Sequence, residues 1–172
     1  MAQAWEVHGL RANPPFRDAA GRVILTRWRE MMSFRDGTLL GEDIEQLHAM
    51  RVSSRRLRAA MDAFAGAFPA RTFRTHLRVV KEITDTLGEA RDLDVAVEHL
   101  RELLPGMSDA DQPGIQGLID RYAAQRSEET HHIALLFDRL QHEKFGPRFE
   151  RWVRKHTGVD VKALAPTPPE GD

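Results

Sequence analysis

The chain has 172 residues, 41% of them hydrophobic and 30% charged, which is enough for one domain with a buried core and too apolar for a disordered tail. It has no cysteine, which excludes a disulfide framework, a thiolate nucleophile and any Cys-based zinc or iron–sulfur site. The 25 Lys plus Arg and 26 Asp plus Glu leave a formal net charge of −1, so the total by itself points to no polyanionic partner.

Apolar residues recur at three- and four-residue spacings along most of the chain, and no stretch alternates with period two long enough for a half-buried strand. The expected fold class is all-α, an antiparallel bundle of five to six helices, preceded by an N-terminal loop over residues 1–16 that ends in Asn13-Pro14-Pro15. A first helix, about 17–36, places Ala20, Ile24, Trp28 and Met31 on one side and stops near Asp36-Gly37. A second, about 42–67, opens beside Glu42 and Asp43, which suit the positive end of a helix dipole, and runs to Gly66 and Pro69. The third spans about 71–87 and is expected to halt at Leu87-Gly88.

A short fourth helix, about 92–104, has Asp92 or Asp94 to cap its start and Pro105-Gly106 to end it. The fifth begins near Pro113 and reaches about Gln141, but its apolar stripe thins between Gln125 and His132, where a break or an exposed stretch is expected. Phe145, Phe149, Trp152 and Val153 mark a last short helix. The helical domain is thus expected over residues 17–156, with a disordered Pro-rich tail over 157–172. Short connections favour antiparallel neighbours. No apolar run approaches the roughly 20 residues of a membrane helix, and the first residues lack the pattern of a secretory signal, so a cytoplasmic protein without a membrane partner is expected.

The chemistry lies in the charges. On the second helix Leu47, Met50, Leu57, Met61 and Phe64 form an ordinary core stripe. Beside it His48, Arg51, Arg55 and Arg58 fall within an arc of about 80°, with Arg56 on the far side. Like charges at these spacings destabilise a helix by a few tenths of a kcal/mol per pair, so the ridge asks for an anion opposite, either acidic residues of a neighbouring helix or a ligand. On the third helix Arg74, Arg78 and Lys81 again line one face. From His48 to Lys81 there are eight Lys or Arg against Asp62 alone, a local net charge of +7, leaving −8 for the rest. Two facing basic ridges make a groove that attracts a flexible anion, and the planar Arg fork can give two hydrogen bonds to one phosphate. His131 and His132 lie about 100° apart on a helix, a poor geometry for a shared metal, so neither a metal nor a cofactor is expected.

The segment His48-Ala49-Met50-Arg51-Val52-Ser53-Ser54-Arg55-Arg56-Leu57-Arg58, followed by Leu87-Gly88-Glu89-Ala90-Arg91-Asp92-Leu93-Asp94-Val95, resembles the CHAD family, the conserved histidine α-helical domain. The resemblance spans about residues 18–155. It implies a helical module that binds inorganic polyphosphate and is not an enzyme, with His48, Arg51, Arg55 and Arg58 as contacts and Arg74, Arg78 and Lys81 joining from the third helix. Arg91 could reach the anion or pair with Asp92, and Arg27 and Arg35 are further candidates if the first helix turns its basic edge to the groove. Localisation to polyphosphate granules would follow.

Members of that family usually carry a second, weaker copy of the histidine-and-basic helix, and no such helix follows residue 104 here. Either a symmetric partner completes the channel or the chain offers only an open basic face, and a homodimer with two basic ridges face to face is the favoured expectation. Two other functions fit part of the pattern. The His48 and Arg51 spacing suits a histidine phosphotransfer domain with His48 as phosphoacceptor, although such domains do not need three further turns of Arg. A row of Arg also suits a nucleic-acid backbone, but stacking aromatics beside the ridge are missing, which makes a nucleic-acid partner the less favoured reading.

Overall fold

The computed structural model describes residues 3–41 and 43–159; the expected tail falls almost wholly outside them. The described residues form helices and loops without a strand. The helices are α1 (Phe16–Ser33), α2 (Arg35–Leu40), α3 (Ile44–Ala63), α4 (Ala70–Leu103), α5 (Gln112–His142) and α6 (Phe145–Thr157), with 3-10 turns at Ala65–Ala67 and Leu104–Gly106. The all-α expectation holds.

Local chemistry explains most of the boundaries. Pro15 precedes α1, with φ preset at −54°, and its carbonyl accepts from Ala19. Gly41 closes α2 in the left-handed conformation, φ 69°. Asp43 then caps α3, its side chain accepting from the Glu45 amide at 2.8 Å. Pro69 sits at the start of α4.

Two expected breaks are absent. The third and fourth predicted helices are one continuous α4, which passes through Leu87-Gly88 without a turn. A helical Gly costs about 1 kcal/mol relative to Ala, but Leu87 and Ala90 on either side are fully buried, and their packing outweighs that local preference. Likewise α5 runs unbroken through 125–132. Its apolar stripe thins there because the contact is polar: Arg126 bonds Asp94 of α4 at 2.7 Å and the Thr130 hydroxyl at 2.7 Å.

Residue numbers that rise along one helix while they fall along its neighbour show antiparallel pairs. Glu82 and Asp94 of α4 pair with Arg139 and Arg126 of α5. Phe16 and Glu30 of α1 meet Phe64 and Arg56 of α3, and Gly21 and Trp28 of α1 lie against Thr157 and Phe149 of α6. The core draws on all the long helices: Ile24, Leu25 and Met31 from α1, Met50, Leu57 and Met61 from α3, Val80, Ile83 and Leu87 from α4, Phe137 from α5 and Phe149 from α6. Gly21 lets α1 and α6 approach, since a β-carbon there would lie 2.8 Å from the Thr157 Cβ.

The N-terminal loop is fastened to α1. The Trp5 side chain is buried and its carbonyl accepts from Arg27 at 2.9 Å, while the His8 carbonyl accepts from Arg22. At about 1.5 Å per residue α4 and α5 are each close to 50 Å long, far longer than α3 at about 30 Å. The start of α3 at Ile44 still lines a cleft with Val97 and Arg101 of α4 and Ala123 of α5, so only the far ends of α4 and α5 continue past it as a short two-helix arm.

Candidate functional site

The core face of α3, through Leu47, Met50, Leu57 and Met61, decides where its charges go. Ser53 and Arg56 turn toward α1, where both approach the buried carboxylate of Glu30. His48, Arg51, Arg55 and Arg58 fall on the other flank. Arg55 is exposed, and the other three are half-buried.

Arg51 fixes how this ridge meets α4. Its Nη2 lies 3.6 Å from the Asp92 carboxylate, and its Nε is 3.8 Å from the place a β-carbon on Gly88 would occupy. Helical rotation puts Lys81 about 20° from Gly88, with Arg74 and Arg78 within about 80° on the same side. In the antiparallel register Lys81 comes level with Arg58. The structure therefore brings His48, Arg51, Arg55 and Arg58 to the same face as Arg74, Arg78 and Lys81. Arg74 and Arg78 are exposed and Lys81 is half-buried. Exposed Arg71 extends this line by one turn, which its three-residue spacing from Arg74 could have signalled.

Two polar atoms at the seam are buried and have no hydrogen-bond partner: His48 Nδ1 and Arg51 Nε. A buried polar group without a hydrogen-bond partner costs about 1–3 kcal/mol. The acidic neighbours are few. Asp92 is largely exposed and 3.6 Å from Arg51, a weak pair. Asp85 lies on the same face of α4 between Lys81 and Asp92.

The remaining candidates are placed differently. Arg91 is half-buried, and helical geometry puts it nearer the α3 side of the seam, level with His48. The ion pair in this turn is Arg51 with Asp92, not Arg91 with Asp92. Arg27 is not brought to the ridge: it bonds the Glu30 carboxylate and the Trp5 carbonyl, on the side of α1 that faces the N-terminal loop. Arg35 pairs with its neighbour Asp36 at 2.9 Å and lines a separate pocket beside Trp28 and Phe145. The expected role of the first helix fails because its inward cations are spent on structural partners.

The ridge is an open surface. A cleft of about 550 Å³ among Ile44, Asp94, Val97, Glu98 and Ala123 lies on the opposite flank of α4. Among the described residues no cluster of three or more His, Asp or Glu could hold a metal ion, and no helix is long and apolar enough to cross a membrane.

The His-and-Arg helix α3 thus lies against a second basic helix, α4, with Arg51 beside Gly88 and Asp92. Compared with models of known families, residues 13–170 match the CHAD domain. The chain belongs to the CHAD domain family. No curated protein and no solved structure matches it. The match covers nearly the whole CHAD chain, so the arm and α6 are parts of the domain and not an appendage to it.

Proposed function

We propose that this CHAD domain binds inorganic polyphosphate along the α3–α4 ridge as a binding module without catalysis of its own. The observation that carries the reading is the seam at Arg51, where a buried guanidinium nitrogen and a buried imidazole nitrogen of His48 lack partners beneath a row of solvent-facing Arg. His48, Arg51, Arg55 and Arg58 on α3 and Arg74, Arg78 and Lys81 on α4 supply the contacts, and Arg91 closes the end near His48. A linear anion engages them in succession, each contact holding the chain for the next. The module acts in the cytoplasm, as a homodimer whose second ridge lengthens the surface, and is recruited to polyphosphate granules.

The test is fluorescence anisotropy with labelled long-chain polyphosphate, for the wild type and for the Arg51→Ala, Arg55→Ala, Arg58→Ala triple variant, with single-stranded DNA and RNA as competitors. Binding lost in the triple variant at unchanged helical content supports the reading. Displacement of polyphosphate by equimolar nucleic acid favours a general backbone binder. An acid-labile phosphoryl group on His48 after incubation with a phosphorylated receiver domain favours phosphotransfer.

A further inference from the structure

A cavity of about 220 Å³ opens between α1, α2, the end of α5 and the start of α6. Neither helix of the basic ridge, α3 or α4, lines it. Its walls are largely aromatic. Trp28, Phe137 and Phe145 are each almost fully buried, and Trp28 meets Phe145 edge-on at 66°, so the two rings form a corner and not a closed stack. Gly146 leaves room beside them, since a β-carbon there would lie 3.4 Å from the Trp28 ring, a tight contact.

The mouth of the cavity is cationic. Arg35 and Lys144 line it, and no Asp or Glu does. Arg35 pairs with Asp36, but that carboxylate is largely exposed, and a guanidinium with five donors is not exhausted by one carboxylate oxygen. Lys144 sits in the turn between α5 and α6 at φ 51°, the one non-glycine residue with a positive φ among the described residues. Helices ordinarily use glycine at such a position, because an L side chain there crowds the following carbonyl. The turn therefore works against lysine, and what lysine adds is a charge at the mouth. The first turn of α6, Phe145 to Pro147, borders the same space and adds the positive end of its helix dipole.

We propose that this cavity binds a small aromatic carboxylate, its ring in the corner of Trp28 and Phe145 and its anionic group between Lys144 and Arg35. An apolar well with a few polar groups at its edge is the usual form of a small-molecule site. This one is smaller than the usual ~300–1,000 Å³, which limits the ligand to one ring with a short arm. The ring leaves water for offset contacts with the aromatic walls, while the carboxylate takes charge-assisted hydrogen bonds at the mouth, so no charge is buried unpaired. A cation on the same ring would meet two like charges. The site is separate from the α3–α4 ridge, and the proposal stands whether or not the ridge binds polyphosphate.

Isothermal titration of the full chain with trans-cinnamate, and with neutral cinnamyl alcohol as its isostere, tests the proposal. The acid is expected to bind with a Kd of about 100 μM and the alcohol about tenfold more weakly. In nitrogen–proton NMR spectra cinnamate should move the indole signal of Trp28 and leave that of Trp5, which does not line the cavity. Lys144→Gly keeps the left-handed turn and removes the charge, so its melting temperature should hold or rise while the acid binds about fivefold more weakly and the alcohol as before. Adding Arg35→Gln should abolish the preference for the acid, and Gly146→Leu should block both probes. No binding of cinnamate up to about 5 mM, equal binding of acid and alcohol, or an affinity for the acid that survives the Lys144→Gly, Arg35→Gln pair overturns the proposal. So does loss of cinnamate binding in the Arg51→Ala, Arg55→Ala, Arg58→Ala variant, which would put the acid on the ridge.

Discussion

Arg56 donates from Nη1 to Glu30 Oε1 at 2.8 Å, joining α3 to α1 through a carboxylate with no exposed surface. Arg27 reaches the other oxygen from one turn away, so a single buried anion holds two guanidinium groups. This triad separates the structural cations from those left on the opposite flank of α3. Removing the anion takes the shared counter-charge from both. Glu30→Ala should cost about 3–5 kcal/mol, because breaking a buried ion pair by deleting one member is far more expensive than the pair was beneficial. Urea denaturation would check it, and a loss below about 1 kcal/mol would show that water already solvates the cluster.

Much of this site could be read from spacing. His48, Arg51, Arg55 and Arg58 share a ridge because three- and four-residue steps return to one side of a helix whatever it packs on, and Arg56 falls outside that arc for the same reason. What spacing could not show is which neighbour holds which cation. Arg27 looked available on α1 until the fold brought it to Glu30 and the Trp5 carbonyl. The break expected at Gly88 is absent because Gly is only a local signal, whereas the helix is held by Leu87 and Ala90 buried beside it. The polar interval of α5 misled for a related reason: Arg126 and Asp94 make an interhelical contact that an apolar-periodicity test does not see.

The continuous α4 makes Gly88 testable. Its φ is not positive, and an added β-carbon would meet Arg51 Nε at 3.8 Å, an ordinary contact. Gly88→Ala should therefore stabilise the protein by about 1 kcal/mol, the helix-propensity difference, and leave ligand binding in place. A lowered melting temperature would mean that the position needs glycine's freedom, as a turn would.

Acid should weaken the fold through His76. Its ring lies 4.3 Å from that of Trp152, between α4 and α6, and burial, with a smaller push from the Arg148 charge, lowers its pKa to about 4. Because the unfolded chain binds this proton near pH 6.5, it holds more protons than the native state between about pH 6.5 and 4, so stability falls as pH falls through that window. The loss should approach about 2 kcal/mol, allowing for solvent at the ring edge. Urea midpoints across that range would show it, and in His76→Phe this part of the pH dependence should disappear. An unchanged slope in that variant would assign the acid sensitivity to other groups.

If polyphosphate binds at the ridge as proposed, Asp92 should compete with it for Arg51. The carboxylate is 3.6 Å from Nη2 and largely exposed, so the pair contributes little to stability, and its removal should leave the melting temperature within a degree or two. At the ridge its effect is larger, since a negative charge beside the seam repels an incoming phosphate and engages Arg51, whose buried Nε has no acceptor. Asp92→Asn keeps the shape of the side chain and should tighten polyphosphate binding by about two- to fivefold at low salt, a gain that fades as salt screens it. Isothermal titration at two ionic strengths would separate the outcomes. Tighter binding that narrows with salt places the anion beside Arg51. Weaker binding would mean that Asp92 positions the guanidinium for the ligand, and that Arg51 needs this carboxylate to present its fork.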